Sequence, residues 1–415
     1  MLIQFRMINV RSALVAACLV FTVVLCAIPQ TTFEYDVAED AISVESAVDP
    51  IPVGDAPDDP GPLANDLSPA LSNHAIRTVL KKVADWQLRV AEPKFNPQWP
   101  FAALYDGLIA ASATTCDPAY GDAVQHYAEH QNWTLVDDRF PHADDMALGK
   151  AYTQLYLAAA ATEQTPDQIN STKANLDRLL THPGNPDRSL WWWCDALYMA
   201  PPVLVRMARI TADYRYIDFM NREWDITIAN LYSPTEHLFF RDGSFLNRTE
   251  ANGRPLFWSR GNGWVMGALV LILQDLPVND PSRSKFIAKL QEMAAALGVI
   301  QSPDGLWRSG ILDPASYELP EISGSAFFTY AMAYGINEHI LERKKYEPVV
   351  TRAWGGMLTH IYADGRLGSI QPINSAPGKF KPSASSVFGV GAFLLAGSEL
   401  DRLAGHQRHG NSQLK

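Results

Sequence analysis

An all-α toroid of six inner and six outer helices, an (α/α)6 barrel, is the fold this 415-residue sequence predicts, and three features predict it. Amphipathic segments alternate with segments that are apolar nearly all round, the alternation runs through six pairs, and the apolar members are rich in small residues. A helix apolar on every side must be buried, whereas an amphipathic one faces water along one stripe, so six of each describe a ring inside a ring. A closed ring is expected over an open solenoid because none of the apolar helices has the polar face of a terminal cap. Hydrophobic residues make up 47% of the chain and charged residues 19%, which allows a large core and excludes wholesale disorder.

The elements follow in chain order. Arg6 and Arg11 precede the apolar run Ala13–Ile28 and then Pro29, the layout of a signal peptide or, if uncleaved, of an N-terminal anchor over residues 1–29. An exported protein, periplasmic or extracellular, is the expectation. A cleaved leader takes Cys18 and Cys26 with it, and Cys116 and Cys194 alone do not make a disulfide framework. Residues 30–70 are acidic and rich in proline, the composition of a solvated tail or linker. From Ile76, Val79, Leu80, Val83 and Trp86 onward a helical stripe begins, and the barrel is placed at 71–402. Amphipathic helices are expected near 75–90, 119–131, 166–180, 215–231, 283–300 and 345–360. Apolar ones fall near 102–113, 146–160, 196–209, 263–275, 324–337 and 387–400, where Gly107, Gly149, Gly267, Gly389 and Gly391 allow close backbone approach. Short strand-like runs such as His237–Arg241 suit hairpins on the loop-bearing face, and 403–415 reads as a C-terminal tail.

Charge narrows the partners. Ten acids between Glu34 and Asp66, against Arg6 and Arg11, give residues 1–66 a net −8 of the chain's −11, which leaves the body only mildly acidic. No basic stripe is present, so nucleic acid is not an expected partner, and an anionic substrate must be met by local arginines. The sequence leaves the oligomeric state open and gives no reason for a stable membrane partner unless the leader stays uncleaved.

Three segments carry candidate chemistry. In Trp191-Trp192-Trp193-Cys194-Asp195 a carboxyl group opens a buried helix inside an aromatic wall to which Trp193 contributes. Desolvation raises such a pKa and the helix N-terminus lowers it; if desolvation dominates, Asp195 becomes a proton donor near neutral pH. A plain N-cap is the alternative. In His142-Ala143-Asp144-Asp145 two adjacent carboxylates open another inner helix, where they suit either the orientation of a water or sugar hydroxyl or, again, capping. Both acid segments are expected to face each other at the mouth of the inner ring. In Trp258-Ser259-Arg260-Gly261-Asn262-Gly263-Trp264 an arginine between two indoles suits a sugar acid, with a bidentate grip on the carboxylate and stacking on the ring, or else a solvated turn with two core indoles. His126-Tyr127-Ala128-Glu129-His130 matches a zinc spacing but has no evident third ligand, so no metal is expected. Phosphate-binding loops and nucleophile elbows are absent from the sequence.

These motifs have a resemblance. WPFAALYDGL (99–108), HADDMALGKAY (142–152), WWCDALYMAPP (192–202), EHLFFRD (236–242), FWSRGNGWV (257–265), PDGLWRS (303–309), EISGSAFFTYA (321–331) and FGVGAFLLAGSE (388–399) together resemble the unsaturated glycuronyl hydrolases of glycoside hydrolase family 105 and, more distantly, family 88. The resemblance spans about three hundred residues in order and implies an (α/α)6 barrel. It also implies action, without a cofactor, on oligosaccharides that end in a 4,5-unsaturated uronic acid left by a lyase, of rhamnogalacturonan or ulvan type. By the matching motifs, Asp195 resembles the general acid/base and Asp144 the second carboxylate, with Asp145 the alternative to Asp144. Tyr105, Asp145, Trp193, Met199, Trp258, Arg260 and Trp264 are implied to line the pocket. Where some relatives carry a histidine after the aromatic pair, this chain has Arg241, a candidate grip for a second anionic group.

Overall fold

Helices form where the hydrophobic stripes lie, and their caps are local. The computed structural model describes residues 53–185 and 188–412, with side chains as far as residue 405; the leader and the tail residues 30–52 lie outside the described residues. After a short strand β1 (Gly54–Asp55), the helices are α1 (Asn73–Ala91), α2 (Trp99–Thr115), α3 (Pro118–His130), the single turn α4 (Ala143–Met146), α5 (Gly149–Ala158) and α6 (Asp167–Leu180). There follow the single turn α7 (Ala196–Met199), α8 (Pro201–Thr211), α9 (Arg215–Leu231), the hairpin of β2 (Tyr232–Ser233) and β3 (Leu238–Phe239), α10 (Ser259–Asp275) and α11 (Arg283–Val299). The chain ends with α12 (Ile322–Asn337), α13 (Arg343–Leu358), strand β4 (Ser385–Ser386) and α14 (Val387–Ser412).

The apolar helices make the inner ring. α2, α5, α8, α10, α12 and α14 each pack on the next, and α14 returns to α2, so the ring closes. Outside it lie α1, α3, α6, α9, α11 and α13, each packed on an inner neighbour. This is the (α/α)6 barrel that the alternation predicts. Its seam depends on glycine: a Cβ on Gly107 would meet the Gly391 Cα at 2.6 Å, and one on Gly391 would meet the Ala103 carbonyl oxygen at 2.1 Å. Two helices this close have no room for a side chain between them.

Three expectations need revision. The inner segments at 146–160 and 196–209 are each broken rather than continuous, the second because Pro201 and Pro202 at the start of α8 lack the N–H groups that would continue α7. Residues 53–70, read as a solvated linker, lie against the barrel: β1 pairs antiparallel with β4, and Leu63 bridges Tyr362. Three of their acids also pair with the barrel, Asp55 with Arg366, Asp58 with Lys381 and Asp66 with Lys82. The C-terminal tail from 403 continues α14, with Leu403 and Ala404 buried on the core.

Candidate active site

Loops that precede the inner helices are stitched together by backbone pairing. Trp193 bridges Asp242, and the Cys194 N–H donates to the Arg241 carbonyl at 2.8 Å. Asn262, in the first turn of α10, accepts from the Phe239 N–H at 2.8 Å and donates to the Phe239 carbonyl at 3.0 Å, which fixes the hairpin to that helix. The space that a side chain on Gly261 would need is taken by the Cys194 sulfur, 3.0 Å away. His142 stacks on Trp193 and α4 packs on α7, so all three candidate segments are neighbours at one mouth of the ring.

Asp195 stands at the N-cap position of α7, yet its side chain accepts no capping hydrogen bond. Capping therefore does not account for it. Its Oδ2 lies 3.8 Å from Arg241 Nε and 3.6 Å from the Cys194 sulfur, and the side chain keeps 12% of its surface open. Burial pushes the carboxyl's pKa up; Arg241 and then Arg260 pull it down without reversing the shift. Burial likewise pushes the Cys194 thiol well up, so it is no nucleophile at neutral pH.

The adjacent acids Asp144 and Asp145 divide their roles. Asp145 is 2% exposed and takes Arg139 Nη2 at 2.6 Å, Nε at 3.1 Å and the Arg139 backbone N–H at 2.8 Å. Fully engaged, it is a support for Arg139 and not the pocket-lining group its sequence position suggests. Asp144 has only looser neighbours, Arg139 Nη2 at 3.8 Å and His142 Nδ1 at 3.7 Å, and 15% of its side chain is open. Its pKa is pushed up to about 7, first by burial, with Asp195 and Asp145 adding repulsion against the attraction of Arg139 and Arg241. Both carboxyls are thus raised by burial, and the charge of Asp195 further opposes ionisation of Asp144.

An aromatic wall stands beside them. Trp193 stacks on His142 with ring centres 4.6 Å apart and on Trp192 at 4.8 Å, and Trp192 keeps part of its surface open below the Arg241 guanidinium. Arg241 holds Asp242 at 2.6 Å, while its buried Nε donates no hydrogen bond among the described residues.

The third segment differs from expectation. Arg260 is 1% exposed, sandwiched over Trp258 and Phe388 at 4.4 and 4.7 Å, and its two terminal nitrogens donate to the Gln371 and Pro372 carbonyls. One N–H of each terminal nitrogen is thus already engaged by the 371–372 loop. Arg260, its pKa lowered by burial to about 10, anchors the 371–372 loop and adds positive potential at Asp195. Trp258 is buried too, its indole N–H donating to the Gln371 side chain at 3.0 Å. Trp264 belongs to an internal aromatic stack with Trp99, Tyr198 and Phe327. Met199, one turn beyond Asp195, is buried in the core. Tyr105 is not brought to the acids: its hydroxyl bonds the Asn96 backbone, and its ring meets Phe95 and Tyr127 toward α3.

Sequence reasoning missed Arg139, Gln371 and a buried Lys150–Asp106 pair. For Lys150 and Asp106 a signal existed, since each is a charge set in an otherwise apolar inner helix.

The chain matches the Glycosyl Hydrolase Family 88 model over residues 72–404. It is 37% identical over 354 residues to the unsaturated 3S-rhamnoglycuronyl hydrolase of Formosa agariphila, which covers 80% of this chain and 92% of that one. Its identity to the protein of the same name from an Alteromonas species is 31% over 372 residues, 81% of this chain and 89% of the relative. Among solved structures, a glycosyl hydrolase family 88 protein from Bacteroides vulgatus shares the fold with a TM-score of 0.73 at 28% identity, over 80% of this chain and 99% of the other. Since that match takes in the whole ring of helices and every acid at its mouth, the chain belongs to glycosyl hydrolase family 88 and is a glycoside hydrolase.

Proposed function

We propose that the protein removes a 4,5-unsaturated uronic acid from the non-reducing end of lyase-generated oligosaccharides by hydrating the C4=C5 double bond, with rhamnose–glucuronate oligosaccharides of ulvan type as its substrates. The observation that carries this reading is the pair of uncapped, desolvated carboxyls, Asp144 and Asp195, beside one guanidinium and an indole wall. The relatives' names support the rhamnoglycuronyl class.

Hydration of an enol ether needs a proton at C4 and a hydroxyl at C5. Protonated Asp195 donates to C4, the cation that forms is shared between C5 and the ring oxygen, and water adds at C5 with its proton taken by the Asp144 carboxylate. The resulting hemiketal opens and releases the neighbouring sugar. One proton on the pair suffices, so the fixed carboxylate separation of retaining or inverting enzymes is not needed. Trp192, held against Trp193, keeps part of its ring open as a face for the sugar, and the partly exposed Arg241 guanidinium meets an anionic group such as a sulfate or second uronate. Export through the segment 1–29 fits a polysaccharide fragment as substrate.

The test is the ultraviolet absorbance of unsaturated ulvan and rhamnogalacturonan oligosaccharides with wild type and Asp195→Asn. Loss of absorbance with wild type alone, faster on ulvan, is expected. Cleavage of saturated oligosaccharides without loss of absorbance would instead mean a conventional inverting glycosidase.

A further inference from the structure

Beneath the two acid segments lies a buried ion pair that the proposed chemistry does not use. Lys150 of α5 is wholly buried with its Nζ 3.4 Å from Asp106 Oδ2 of α2. Tyr198 of α7 donates its hydroxyl to the same Asp106 oxygen at 2.9 Å, and the ammonium stands 4.5 Å from the Tyr198 ring centre. Two short relays join this pair to the acids. Lys150 Nζ donates to the Ala147 carbonyl at 3.1 Å, and the Ala147 N–H donates to the Asp144 carbonyl at 3.1 Å. On the other side the Tyr198 N–H donates to the Asp195 carbonyl at 3.0 Å. The turns that carry both acids are thus closed by groups tied to one ion pair.

A buried ion pair is weak evidence for stability, because desolvation offsets the attraction, so its place here points to geometry and charge. The other groups that face it are accounted for. Arg206 of α8 donates to the Lys150 carbonyl at 2.8 Å and is neutralised by Asp275 at 2.7 Å, while Tyr330 of α12 faces Asp106. Asp106 Oδ1 has no hydrogen-bond partner among the described residues, so the aspartate is not satisfied by the core around it. Burial lowers the Lys150 pKa, and Asp106 and Asp144 both act to hold its proton on. The carboxyl pair itself faces Arg139, His142, Asp145, Arg241, Asp242, Arg260 and Cys194, none of which belongs to this cluster.

Resting on the two-carboxylate reading above, we propose that Lys150 and Asp106 are positioning residues for the reaction: they hold the Asp144 and Asp195 turns in one relative geometry, and their buried charges set the field in which the two acids work. Removing the cation makes both carboxylates harder to form, and removing the Asp106 charge does the reverse.

The experiment uses the full chain and two readouts, the pH profile of absorbance loss and the carboxyl 13C titration of aspartate-labelled protein. In Lys150→Met the alkaline limb is expected to move up, and in Asp106→Asn down, each by on the order of one to two pH units, the effect of a charge roughly 6–12 Å away at an effective dielectric near 20. The double variant, neutral again, is expected to return close to the wild-type limb while turnover stays down ~tenfold with little change in KM. Tyr198→Phe, nearly isosteric and without a charge change, is expected to lower turnover and leave the limb in place. Shifts of one sign in both single variants, or none in either, overturn the charge role, and full turnover in Tyr198→Phe overturns the positioning. If wild type leaves the double bond intact, the proposed function fails, while the carboxyl titration of the same variants still decides this proposal.

Discussion

Replacing Asp144 by asparagine should make the protein more stable at neutral pH while it loses activity. In the folded chain this carboxyl's pKa is pushed up to about 7 from an ordinary 3.8. The native state therefore binds more protons than the unfolded chain between those values, and wild-type stability falls as pH rises through that window. The span is about three pH units, which at ~1.36 kcal/mol per unit corresponds to about 4 kcal/mol. The gain that Asp144→Asn shows is expected below that figure, because 15% of the side chain stays in solvent and Asp195 shares the repulsion. No direct side-chain hydrogen bond is lost in the exchange, since Arg139 and His142 stand at 3.8 and 3.7 Å. Denaturant unfolding of both proteins at pH 4 to 8 measures it: the two stabilities should agree near pH 4 and diverge by about 2–4 kcal/mol by pH 7.5, the variant above. Parallel curves, or a variant less stable throughout, would refute the argument that this carboxyl is strained by burial.

Other perturbations follow from single contacts. Arg139→Ala removes the guanidinium from the buried Asp145 and leaves it the backbone N–H of residue 139 alone, which should cost about 2–3 kcal/mol in denaturant unfolding; a loss under about 1 kcal/mol would show that Asp145 finds another partner. Gly391→Ala sets a methyl group 2.1 Å from the Ala103 carbonyl oxygen and should lower stability by about 3 kcal/mol or more, read as a drop in Tm, unless α2 and α14 separate without cost. Arg241→Gln should raise KM for a sulfated oligosaccharide more than for its desulfated form; equal changes would remove Arg241 from substrate selection. The same variant takes the largest opposing charge from Asp195, whose pKa should rise further and carry the alkaline limb of turnover upward, since Asp195 acts in its protonated form.

How much of this was legible beforehand varied with the range of the interaction. Each helix of the barrel is announced by its own residues, such as the Ile76–Val79–Leu80–Val83 stripe of α1, because helical periodicity is a local property. Even ring closure left a trace in Gly107 and Gly391, though which glycines meet is a matter of the tertiary structure. The division of labour between Asp144 and Asp145 was not legible. Both are acids in one turn, and Arg139, six residues before Asp145, selects one of them through chain geometry that no spacing reveals.

By itself the sequence determined the alternation of buried and half-exposed helices, the two acid segments at helix starts and the residues of the hairpin, all set by local pattern and composition. Only the tertiary structure decided that Asp195 caps nothing, that Arg260 holds a loop, that Tyr105 faces α3, and that residues 53–70 lie on the barrel through backbone pairing and ion pairs with distant residues. The physical reason is common to all four. A side chain's identity fixes what it can bond to, while burial and long-range partners, brought together only when the ring closes, fix what it does bond to.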